Sequence, residues 1–218
     1  MTAPPGTALA LRPSWRGRLH SWSRSVSLPA GLALVVLSRS GAPRIGAAIF
    51  ALTLTGVFTT SAAYHLARSR VSARVLRRAD HSMIYLLIAG TYTPVCLAAL
   101  PRSVGLPLLG FIWLVALVGV ICKMVAGPRL MRASSGIYIA MGWVALVALP
   151  DLLRTLRPAE LVLLGLGGAL YTVGAIVLYF RRPDPRPAVF GYHEVWHAFT
   201  VAASAAHFGM VWLVTTGR

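Results

Sequence analysis

Two imidazoles one helical turn apart, His193 and His197, open the last apolar stretch of the chain, and a third, His65, closes an earlier one. Residues four apart project from one face of an α-helix, close enough to share an ion. Ser61 precedes His65 by the same spacing, and Asp80 opens the apolar stretch that follows. If those stretches cross a membrane, five polar groups from three helices fall at one depth on one side of it. Neutral imidazoles are ligands for zinc, and three of them leave the fourth tetrahedral position to water, the open arrangement of catalytic sites. Zinc lowers the pKa of that water toward ~7. Asp80 is then placed to orient the water and accept its proton, and Ser61 to hydrogen-bond the water or a developing oxyanion.

Each group also has a plainer reading. A lone histidine in a membrane helix is commonly a helix-packing hydrogen-bonder, which suits His207, about 15 Å deeper than His197 at 1.5 Å per residue. The same reading suits His20 and His81, expected near the interface. Asp80 alone could cap its helix or pair with Arg77 or Arg78, and Ser61 could bond back to its own helix. His193-Glu194-Val195-Trp196-His197 matches the H-E-x-x-H pattern of zinc proteases literally, with Glu194 as their base. No third ligand follows at the metzincin spacing, the flanking helix is a membrane span, and Glu194 lies about 100° around it from His193. Glu194 is therefore expected to face the cytoplasmic interface.

The elements that must position these groups are apolar. The chain is 57% hydrophobic and 12% charged, with a mean hydropathy of +0.71. A soluble domain of 218 residues cannot hide that much apolar surface, so an all-α integral membrane protein is expected. Uncharged runs cover Ile45–Ala67, Ser82–Pro101, Ser103–Cys122, Ala133–Pro150, Leu161–Phe180 and Val195–Gly217. Each is long enough for a bilayer core about 30 Å thick. A shorter run, Ser25–Ser38, spans if His20–Arg24 extend the helix and the flanking arginines snorkel. The expected fold is one seven-transmembrane bundle over residues 15–218, preceded by a disordered, Pro-rich leader over 1–14. Pro29 within the first run and the lack of an A-x-A site argue against a cleaved signal peptide.

The net charge of +16 does not call for nucleic acid, because its distribution follows the membrane. With a cytoplasmic N-terminus, inner segments carry Arg12, Arg16, Arg18 and Arg24, then Arg68, Arg70, Arg74, Arg77 and Arg78. Further along come Lys123, Arg129 and Arg132, then Arg181, Arg182 and Arg186. Only Arg39, Arg44, Arg102, Arg154, Arg157 and Arg218 fall outside. The positive-inside rule thus predicts N-terminus in and C-terminus out, with anionic phospholipid as the partner of the basic inner loops. Cys96 and Cys122 read as small packing residues, and Gly165, Gly167, Gly168 and Gly174 as sites of close helix approach. Trp15, Trp22 and Trp196 read as interfacial anchors. No nucleotide-binding glycine pattern and no nucleophile elbow is present.

Ser61-x3-His65, Asp80-His81-Ser82 running into Ala89-Gly90-Thr91-Tyr92-Thr93-Pro94, and His193-Glu194-x2-His197 resemble the hemolysin III family, bacterial relatives of the adiponectin and progestin receptors. The similarity covers nearly the whole chain beyond the leader. It implies seven helices in a bacterial plasma membrane, with zinc held at His65, His193 and His197. It also implies Asp80 in water-mediated contact with the metal and Ser61 beside it. Many relatives carry an acidic and Asn-containing motif ahead of an N-terminal histidine. Here Trp15-Arg16-Gly17-Arg18-Leu19-His20 keeps the histidine but has neither acid nor Asn. A wider likeness to alkaline ceramidases implies hydrolysis of a lipid amide or ester, with a membrane lipid as substrate or ligand. The other readings are a pore-forming cytolysin and a lipid receptor with structural zinc. Continuous apolar helices fit poorly with a pore former that is soluble before insertion.

Overall fold

The computed structural model describes residues 13–67, 69–125 and 136–217. Among them the regular structure is helical, with one isolated β-bridge between Arg186 and Phe190. The helices are α1 (Arg18–Leu37), α2 (Ala42–Leu66), α3 (Arg70–Ala98), α4 (Arg102–Val125), α5 (Ile137–Thr155), α6 (Pro158–Phe180) and α7 (Tyr192–Thr216). Most of the expected leader lies outside the described residues, as do the charges at Arg12, Arg68, Arg129, Arg132 and Arg218.

Apolar chain with no water at hand must satisfy its backbone internally, and helices do so. Six of the helices, α2 to α7, are long and apolar enough to cross a bilayer. The chain is a multi-pass membrane protein. The first helix falls short of that measure because Arg18, His20 and Arg24 lie in its first two turns. It nevertheless runs antiparallel to α2 over the same height. Gly17 lies against His65 at one end, and Gly31 against Ala51 further along. At the far end the Ser38 hydroxyl donates to Leu34 O (2.7 Å) and lies 2.9 Å from Thr215 Oγ1.

The bundle packs around α2, α3 and α7. Phe50, Leu54, Val57 and Phe58 from α2 meet Leu87 and Val95 from α3 and Met210, Val211 and Val214 from α7. The α2–α3 contact is close because Gly46 has no side chain: a Cβ there would lie 2.6 Å from Pro94 Cα. By contrast α4 and α6 expose Phe111, Leu114, Leu117, Val162 and Ile176. Such an apolar face costs nothing against lipid tails, whereas in water it would mark an interface.

Helix ends run past the expected uncharged stretches, and at α3 and α4 this moves charged groups into the helices. Uncharged runs stop at the first charge, but a helix does not. Thus α3 begins at Arg70, its first turn capped by Ser69 Oγ accepting from Ser72 N–H (3.1 Å). The basic segment expected as a loop up to Ala79 is helical, and Asp80 lies nearly three turns inside α3, where it caps nothing. Lys123, expected in a loop, is fully buried in the last turns of α4 with its Nζ 5.1 Å from the Tyr138 ring centroid.

The fifth helix is interrupted by a 3-10 stretch, Val144–Ala148. Tyr92 serves that break: its hydroxyl accepts from Ala145 N–H (2.7 Å) and lies 3.0 Å from Met141 O and 2.9 Å from Gly142 O. At the end of α7, orphan carbonyls take arginines assigned above to the outer side. Arg39 donates to Val214 O (2.9 Å) and Arg157 to Leu213 O (3.2 Å).

Candidate metal centre

His65 lies in the last turn of α2 and His193 and His197 in the first two turns of α7, so two helix ends and four-residue spacing bring the three rings together. His65 Nε2 is 3.3 Å from His193 Nε2 and 3.1 Å from His197 Nε2. Each ring offers a ligand atom, and the three atoms lie within 4.8 Å of one another. Tetrahedral zinc with bonds of about 2.0–2.1 Å sets its ligand atoms about 3.3–3.4 Å apart. The two Nε2 separations are close to that edge length. Hydrogen bonding alone accounts for the cluster poorly, because each neutral ring carries a single N–H to share among three converging nitrogens. The donor set therefore fits a metal ion, and the cluster could hold one.

Asp80 and Ser61 complete one flank. Ser61, one turn deeper than His65 on α2, is buried, and the partly buried Asp80 carboxyl faces its hydroxyl from α3. The two do not close into a direct hydrogen bond, and Ser61 Oγ is a buried polar atom without a partner. A buried hydroxyl in that condition is costly unless something polar binds there. His81 also borders the cluster, on the side of Lys123 and Arg77, with its Nδ1 likewise buried and unpartnered.

Glu194 does not face the interface. It is 1% exposed, and its Oε1 lies 2.6 Å from Arg16 Nε while its Oε2 accepts from Gly191 N–H at 3.0 Å. The carboxylate caps the start of α7 and neutralises Arg16, so it is occupied rather than poised as a protease-type base. Helix geometry alone turns Glu194 outward, and the segment before α1 covers it. That segment, Pro13–Gly17, crosses the same end of the bundle. Ser14 N–H donates to Ala188 O (3.1 Å) and Trp15 N–H to Val189 O (3.2 Å), and the Trp15 ring packs edge-on against Phe190 and Trp22. Gly17 passes directly over His65: with φ at 81° and a notional Cβ only 2.9 Å from His65 Cβ, no other residue fits without displacement.

His20, expected near the interface as a packing group, is enclosed beside the cluster. It is 3% exposed, its Nε2 is 3.0 Å from His197 Nδ1, and its ring centroid is 4.0 Å from that of His197. The available signal was its place at the start of α1, on the same side of the membrane as the other three rings. His207, as read, is a packing group, its Nε2 3.3 Å from Leu164 O with the ring seated on Gly167.

The model of the family described as "Haemolysin-III related" matches residues 10–208. The chain belongs to the haemolysin III family. It is 33% identical over 192 residues to a protein named Hemolysin-3 homolog from Bacillus subtilis (strain 168), covering 87% of each chain. It is 35% identical to Hemolysin-3 of Bacillus cereus, over 87% of this chain and 85% of that one. More distantly, it is 25% identical to the human monocyte to macrophage differentiation factor over 78% of this chain and 70% of the other. No solved structure shows significant similarity. In this haemolysin III protein the Ala89–Pro94 stretch is a packing hub rather than part of the histidine cluster. Gly90 admits Thr53, Thr93 Oγ1 accepts from Trp113 Nε1 (3.1 Å), Tyr92 serves the α5 break, and Pro94 seats on Gly46. Within the Trp15–His20 stretch, which has neither acid nor Asn, Arg16 meets Glu194.

Proposed function

We propose that the protein is a zinc-dependent membrane hydrolase acting on a lipid-like amide or ester, with His65, His193 and His197 as the metal ligands. The observation that carries this reading is the convergence of the three ring nitrogens within 4.8 Å beside a carboxyl and an unpartnered hydroxyl. A bound zinc supplies Lewis acidity, which polarises a carbonyl and makes water nucleophilic near neutral pH. Asp80 accepts the proton of the attacking water and returns it to the leaving amine or alcohol. The Ser61 hydroxyl donates to the oxygen on which charge develops, and its lack of another partner leaves it available to do so. The strap Pro13–Gly17 over His65 favours a substrate that enters sideways from the lipid rather than from the aqueous phase.

By the distribution of arginine, the histidine end faces the cytoplasm of a bacterial plasma membrane, with α1 as a seventh span. The basic turns at that end, including Arg74 and Arg77, take anionic phospholipid as their partner.

The test is metal content per chain of detergent-purified protein, for wild type, His65→Ala, His197→Ala and Asp80→Ala, followed by lipid-amide hydrolysis. The expected result is about one zinc per wild-type chain, lost in both histidine variants, and turnover lost in Asp80→Ala with zinc retained. Zinc present but no turnover in wild type, with Asp80→Ala indistinguishable, would move the reading to a lipid receptor with structural zinc. A folded wild type that takes up no zinc ends the hydrolase reading.

A further inference from the structure

His197 uses both of its ring nitrogens. Nε2 faces His65 Nε2 at 3.1 Å and Nδ1 faces His20 Nε2 at 3.0 Å. An imidazole that gives a lone pair to a metal through Nε2 carries its proton on Nδ1, and that N–H needs an acceptor whose position also sets the plane of the ring. His20 Nε2 is where such an acceptor must be. It stands behind His197, on the ring nitrogen turned away from the cluster, so it is not a fourth ligand in this arrangement.

The setting of His20 favours this assignment over simple space filling. The ring is buried edge-on to Phe58, with centroids 5.2 Å apart, and its own Nδ1 has no partner. An apolar side chain of similar size would fill the space without leaving a buried polar atom unsatisfied. The strap places it as well: Gly17 against His65 and the Arg16–Glu194 ion pair hold the start of α1 to the ends of α2 and α7.

Resting on the reading of the three histidines as a metal centre, we propose that His20 is the positioning residue for that centre: its Nε2 accepts the His197 Nδ1–H and fixes the tautomer and orientation in which His197 presents Nε2 to the ion. The first helix supplies no ligand, yet the site is incomplete without it.

The experiment titrates cobalt(II) and zinc into metal-stripped, detergent-purified full chain, comparing wild type with His20→Leu, His20→Gln and His20→Asn. Outer-shell partners of this kind are worth about 10–100-fold in metal affinity. His20→Leu is expected to lose that much and to alter the visible spectrum of bound cobalt. Glutamine can place its amide oxygen near the former Nε2 and should recover most of both, whereas the shorter asparagine reaches only as far as Nδ1 and should not. The Gln–Asn comparison remains decisive if the leucine variant does not fold. Wild-type affinity and spectrum in His20→Leu, or equal losses in Gln and Asn that only track a lowered thermal midpoint, would overturn the assignment while leaving the three-histidine centre standing. A wild type that binds neither ion overturns both.

Discussion

Removing Arg16 should unfold the strap end of the molecule through Glu194 rather than through any contact of its own. Glu194 is 1% exposed, and the guanidinium at 2.6 Å is the charge that compensates it. Breaking a buried ion pair by deleting one partner costs about 3–5 kcal/mol, because the other charge stays buried. Arg16 is a quarter exposed, and Glu194 keeps the Gly191 N–H. Both facts put Arg16→Ala at the lower end, about 3 kcal/mol, or roughly a 150-fold loss in the folded-to-unfolded ratio. Glu194→Gln keeps an acceptor for Gly191 and leaves Arg16 able to turn toward water, so it should cost only about 1 kcal/mol. The double variant then costs far less than the sum of the singles, with a coupling of about 2 kcal/mol. Equilibrium unfolding in mixed micelles measures all four corners of the cycle. Strict additivity, or an Arg16→Ala variant within about 0.5 kcal/mol of wild type, would refute the claim that the pair neutralises a buried charge.

Two further outcomes follow from single positions. Gly17→Ala should lose about 1–2 kcal/mol from the left-handed backbone alone. Its new Cβ would also press on His65 Cβ, so bound metal per chain should fall together with the thermal midpoint, and unchanged values of both would exclude the close approach. Tyr92→Phe deprives Ala145 N–H of its acceptor at the α5 break and should cost about 1–2 kcal/mol in the same micellar assay. A neutral result there would mean the 3-10 stretch satisfies itself.

Much of this was legible in the chain. Membrane class, six of the spans and the candidate ligands follow from local rules: an uncharged run of about 20 residues must be helical in lipid, and four-residue spacing must put His193 and His197 on one face. The charge of a residue, however, says nothing about whether a helix continues through it, so α3 and α4 outrun their uncharged stretches, Asp80 lies inside α3 rather than at its start, and Lys123 lies in the last turn of α4 rather than in a loop.

Burial of a polar group depends on what crosses over it, and that is non-local. Glu194, read alone, sits on the outward side of an interfacial turn, and only the path of Pro13–Gly17 turns it into half of an enclosed ion pair. His20 lies 177 residues from His197 in the chain, and no periodicity connects them. The sequence by itself determined which groups can bind and at what depth, because lipid imposes length and the helix imposes spacing. Tertiary structure decided which of those groups meet, which are already spoken for, and that the first helix stands behind the histidine cluster, because those outcomes depend on how separate helices pack.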